Sequence, residues 1–164
     1  MKAGQYNYVR PALFRPMERG RRFADVDFPK VKSEETFLSD IRVWIEQGGS
    51  HLAVRPLLGW TLLHLAAEWQ CVEAIEFLVG LGCDVNVTDD SSQTPLHIAV
   101  DSEIDATIQD GGPLTFKTTK RLLELGADLN FKNSRGETPM DCVNSYGEKA
   151  RARFKEVIGD PTAA

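Results

Sequence analysis

Long apolar runs are missing from this sequence. No stretch of 18 consecutive apolar residues occurs, so no membrane-spanning helix is expected. The first twenty residues are polar and Arg-bearing, without the apolar core of a secretory signal. Cysteine is scarce: Cys71, Cys83 and Cys142 are odd in number and widely spaced. That speaks against a disulfide framework, and without a Cys-x-x-Cys pair against a zinc site; small buried thiols in a reducing, cytoplasmic compartment are expected instead. Gly111-Gly112 is not followed by Lys-Ser/Thr, so no phosphate loop is read. Asp101, Glu103 and Asp105 alternate as in a calcium loop. However, Ala106 stands where that loop needs glycine, and Gly112 where it needs a closing glutamate. With no nucleophile–base pair and no metal cluster, neither an enzyme nor a cofactor is expected.

Positive charge is short in most of the chain. Residues 33–164 hold eleven Lys/Arg against twenty-one Asp/Glu, whereas residues 1–32 hold eight against three, within a net charge of −5. An acidic body disfavours nucleic acid, whose phosphates must be neutralised. It suits either plain solubility or the steering of a basic partner.

What is present is repetition. Gly59-Trp60-Thr61-Leu62-Leu63-His64-Leu65-Ala66-Ala67 aligns with Gln93-Thr94-Pro95-Leu96-His97-Ile98-Ala99-Val100, histidine on histidine, 33 residues apart. A third copy begins at Gly136-Glu137-Thr138-Pro139-Met140-Asp141. A second signal recurs beside the first, as Gly82-Cys83-Asp84-Val85-Asn86 and Gly126-Ala127-Asp128-Leu129-Asn130. A fixed period near 33 marks an array of small stacked units.

Residues 1–32 show no sustained period and are broken by Pro11, Pro16 and Pro29, yet they carry Tyr6, Tyr8, Phe14, Phe23 and Phe28. Free tails are poor in aromatics, so the reading is an extended basic arm packed along the body. Ser33 is placed as the cap of a helix over 34–47, closed by Gly48-Gly49. Gly48 precedes Gly82 by 34 residues, which makes this helix the second half of a worn first unit. Helices are expected from Thr61 to Trp69, from Val72 to Leu81, from Thr94-Pro95 onward, over Leu114 to Leu125, from Thr138-Pro139, and over Glu148 to Ile158 as a polar end cap. His64 to Gly82 is 18 residues, but His97 to Gly126 is 29, so eleven residues are inserted. They are assigned to an acidic loop near 101–115, where repeats tolerate insertions.

These motifs resemble the ankyrin repeat over about 33–158. Departures are Leu62 for proline, Ser92 for glycine, Cys83 for alanine, Asp141 for histidine, and the insertion. The resemblance implies an all-α solenoid of stacked helix pairs, with about three recognisable repeats and a degenerate N-terminal capping repeat. The domain organisation is then an arm over 1–32 and a repeat domain over 33–164. His64 and His97 become scaffold residues whose rings tie a loop to the neighbouring unit. The implied function is protein binding through turn tips and inner helices, with no metal or catalytic residue. The expected partner-facing residues are Leu57, Leu58, Trp60, Glu68, Trp69, Asp90, Ser91, Gln93, Asp101, Ser102, Arg135, Glu137 and Tyr146, with Trp60, Trp69 and Tyr146 on one concave side. An aromatic at a position the stack does not need is either covered by the chain itself or kept for a partner; the partner is taken here. The expected partner is a protein with a basic surface, bound by a monomer. The chain is similar to small bacterial ankyrin proteins, some of which neutralise a toxin, so an inhibitor or immunity protein is one expectation; a cytosolic adaptor or scaffold is the alternative.

Overall fold

A computed structural model of the protein describes residues 33, 35–52 and 58–159. The expected arm over 1–32 lies outside them, as does Leu57. Seven helices and no strand occur among the described residues: α1 Phe37–Glu46, α2 Leu62–Glu68, α3 Val72–Gly80, α4 Pro95–Asp110, α5 Lys117–Glu124, α6 Pro139–Ser145 and α7 Glu148–Ile158. The all-α solenoid read from the repeats is the fold. α2, α4 and α6 are inner helices, each paired with the outer helix that follows, and α1 is an outer helix against α3.

Each outer helix of the first three units closes in the same way. The N–H of Gly49, Cys83 and Ala127 reaches back to the carbonyl of Trp44, Leu78 and Leu122, at 3.0, 3.1 and 3.0 Å. The glycine just before each, Gly48, Gly82 and Gly126, has a φ between 93° and 98°, which a side chain would oppose. That shared closure identifies α1 as the outer helix of a worn first unit. Asp84 and Asp128 then accept the N–H of Asn86 and Asn130 to form a tight turn. Asn86 joins the two turns, its Oδ1 accepting from the Asp128 N–H at 2.8 Å and its Nδ2 donating to the Gly126 carbonyl.

The core runs along the stack in two clusters. Phe37, Ile41, Leu63, Ile75, Leu78, Leu96 and Leu122 anchor the first; Val100, Ile104, Phe116, Val143 and Phe154 anchor the second. Phe116 and Phe154 meet edge to face at 5.1 Å. α7 buries Ala150 and Phe154 and turns Lys149 and Arg151 to solvent.

The insertion is a correction. It is not a loop: α4 continues for 16 residues, whereas α2 and α6 stop at seven. No glycine or proline interrupts it before Gly111-Gly112-Pro113, and Val100 and Ile104 carry the buried stripe onward one turn apart. The acidic composition suggested a loop, and the unbroken stripe outweighs it. α5 begins three residues later than expected, because Phe116 sits at φ 50° and breaks the helical path there.

Candidate functional site

The inner helices begin with one repeated device. Thr61, Thr94 and Thr138 sit extended at the N-caps, and the residue three positions on answers them. His64 Nδ1 accepts the Thr61 N–H at 3.1 Å, and His97 Nδ1 accepts the Thr94 N–H at 3.1 Å. An Nδ1 that accepts from a backbone amide carries no proton, so the other nitrogen does. His64 Nε2 accordingly donates to the Gln93 carbonyl at 3.0 Å, and His97 Nε2 to the Glu137 carbonyl at 3.1 Å. Each ring caps its own helix and holds the turn of the next unit. Burial pushes both rings below the ordinary histidine range, against the pull of the carbonyl acceptors. Asp141 takes the third position, where its carboxylate accepts the Thr138 N–H at 2.9 Å. It keeps the cap without the longer reach.

The turn tips are built as copies. Asp89 Oδ1 accepts the N–H of Ser91 and Gln93, both at 2.8 Å; Asn133 Oδ1 accepts those of Arg135 and Glu137 at 2.9 and 3.0 Å. Neighbouring tips are stitched by backbone bonds, Asp90 N–H to the Leu58 carbonyl and Ser134 N–H to the Ser91 carbonyl. Gly59, Ser92 and Gly136 occupy the equivalent left-handed position. A Cβ on Gly59 would meet the Asp90 backbone nitrogen at 2.6 Å.

Among the expected partner-facing residues, Leu58, Asp90, Ser91 and Arg135 are exposed at the tips; Gln93 and Glu137 are half-buried, and Arg135 pairs with Glu137 at 2.7 Å. Asp101, Ser102, Glu68 and Tyr146 line the inner helices, half-buried and knitted together. Ser102 Oγ donates to Glu68 at 2.6 Å, and the Tyr146 hydroxyl donates to Asp105 at 2.9 Å. Burial raises the Asp101 carboxyl and the Tyr146 phenol, which also face each other.

One aromatic expectation needs correction. Trp60 is not on an open concave face: it is 7% exposed, its indole N–H donates to Asp89 Oδ2 at 3.1 Å, and it stacks on His64. The partner that buries it lies 29 residues along the chain, out of reach of local pattern reading. Trp69 is half-buried, its ring 4.8 Å from that of Phe37 in the first unit.

Sequence reading also missed Glu103. It is 4% exposed, and its carboxylate accepts the N–H of Thr118 and Thr119 at 2.8 and 3.0 Å and the Thr119 hydroxyl at 2.7 Å. Burial raises its pKa, opposed by these donors at the start of α5. Its spacing of 15 residues from Thr118 gives no periodic signal.

Neither buried imidazole has a nitrogen left for a substrate proton. The thiols of Cys71, Cys83 and Cys142 are all raised by burial, Cys142 to about 11, opposite to the direction a nucleophile needs. No group of three or more His, Cys, Asp or Glu able to hold a metal occurs among the described residues, and no helix among them is long and apolar enough to cross a membrane. What the arrangement offers is a rigid surface of tips and inner helices.

A family model described as ankyrin repeats in three copies matches residues 38–133. Protein phosphatase 1 regulatory subunit 27 from Mus musculus is 30% identical over 144 residues, covering 83% of this chain and 86% of that protein. Its Homo sapiens counterpart is 29% identical over 160 residues, covering 93% and 97%. Rabankyrin-5 from Homo sapiens is 33% identical over 105 residues, which span 62% of this chain but 8% of that protein.

Proposed function

Since the chain belongs to the ankyrin repeat family, and so is a protein-binding module, we propose that it is a non-catalytic regulatory subunit that binds a protein phosphatase catalytic subunit and occludes or bridges it. The observation that carries this reading is the end-to-end alignment with regulatory subunit 27. At 93% of this chain and 97% of the relative, the likeness leaves fewer residues uncovered than the 32 of the arm, so it reaches beyond the repeats. Rabankyrin-5 aligns over 8% of its own length; this relative aligns over 97% of its own.

The binding face in this reading is the tip and inner-helix side, with Leu58, Asp90, Ser91 and Arg135 at the tips and Asp101, Ser102 and Tyr146 behind them. The acidic balance of residues 33–164 supports a basic patch on the partner. Three cysteines outside any disulfide support a reducing, cytoplasmic setting, with the chain a monomer until bound. A toxin-neutralising inhibitor would use the same geometry, and the relatives' names favour the phosphatase.

The test is turnover of purified protein phosphatase 1 catalytic subunit with increasing amounts of the chain. Occlusion lowers turnover of a small phosphoester and a phosphoprotein alike; bridging alters only the phosphoprotein. Unchanged turnover of both, with no complex on gel filtration, would reject the reading.

A further inference from the structure

The third unit carries two turns of helix that its neighbours do without. α2 and α6 end at Glu68 and Ser145, while α4 runs on to Asp110. The added stretch is not slack. The Glu103 carboxylate clamps its base to α5, the Tyr146 hydroxyl holds Asp105, and Arg153 Nε donates to the Leu114 carbonyl at 2.8 Å where the chain returns. Gly111, at φ 70°, closes the helix with its N–H on the Thr107 carbonyl at 2.9 Å.

Above that base the helix end joins neither apolar cluster. Ile108 is 66% exposed, the most exposed of the large hydrophobic side chains among the described residues, and Gln109, Asp110 and 111–113 are exposed around it. From Asp101 to Phe116 there are four carboxylates and no Lys or Arg. Glu103 is held inside; Asp101 and Asp105 lie toward Tyr146, and Asp110 stands two residues from Ile108.

We propose that this ridge is a docking element, which seats Ile108 in an apolar pocket rimmed by basic groups on the partner. The inference rests on the phosphatase reading, so the pocket belongs to the catalytic subunit. A ridge fixed before binding avoids much of the ordering cost of a loop, and its acidic flank speeds encounter with a basic surface.

The test titrates full-length wild type, Ile108→Asp and Asp110→Lys against purified protein phosphatase 1 catalytic subunit at low and high salt, beside their thermal denaturation. Neither substitution removes a described contact, so melting should not change. Ile108→Asp should weaken binding at least about tenfold. Asp110→Lys should slow association several-fold and flatten its salt dependence. Wild-type binding with both variants within twofold of it overturns the ridge alone. Absence of wild-type binding overturns the phosphatase reading, and the ridge with it.

Discussion

Protonating His64 or His97 would set an N–H against the backbone N–H that Nδ1 now accepts. Both folded-state pKa values lie below the ordinary histidine value of about 6.5, with burial as the leading cause. As pH falls, the unfolded chain takes up those protons first. The contribution of the rings to stability is therefore intact above about pH 6.5 and declines below it, until the folded rings also protonate. Asp101 and Glu103, raised by burial, act in the opposite sense, so a variant comparison is needed. His97→Ala should cost about 1–3 kcal/mol in urea denaturation at pH 7.5, and the difference from wild type should shrink toward pH 5. A constant difference would mean that the ring does not titrate as described. Ser92 offers the converse case: it sits at φ 56° where Gly59 and Gly136 occupy the other tips. Ser92→Gly should leave the turn intact and raise stability by up to about 1 kcal/mol by relieving left-handed strain. The scaffold role of the histidines was legible because the chain states it twice. The burial of Trp60 was not, because no local rule places Asp89 beneath its indole.

α4 and α5 depend on one buried carboxylate. Glu103→Ala would leave the Thr118 and Thr119 N–H groups without their acceptor in a buried place. The expected loss is about 2–4 kcal/mol, with hydrogen exchange accelerated first in α5; a loss confined to the last turns of α4 would contradict the clamp. The closing glycines fixed the ends of α1, α3 and α5 from sequence alone, because a left-handed closure admits few other residues. The inserted residues were misread because acidic composition reports solvent exposure, whereas helix continuation was written in Val100 and Ile104. Trp69 also belongs to this scale. Because its ring packs on Phe37 across the first two units, Trp69→Ala should lower stability by about 1–3 kcal/mol, more than a surface site would, on chemical denaturation. A loss under about 0.5 kcal/mol would return that ring to the surface.

At the scale of the molecule, the described residues form a one-dimensional stack whose units are joined by side chains bonded to the next unit's backbone: His64 to Gln93, His97 to Glu137, Asn86 to Asp128. The period and the helix pairing were readable because each unit repeats the same solution. The partner-facing residues are harder to read, because the repeated pattern of caps and closures does not mark them out. The central claim is that a partner protein meets the tip and inner-helix side. Hydrogen exchange of the full chain, alone and with protein phosphatase 1 catalytic subunit, tests it most directly. The account predicts slower exchange on binding at residues 89–93, 101–113 and 133–137, with α3 and α7 unchanged. Protection confined to the outer helices α3, α5 and α7, with tips and inner helices unaffected, would contradict it.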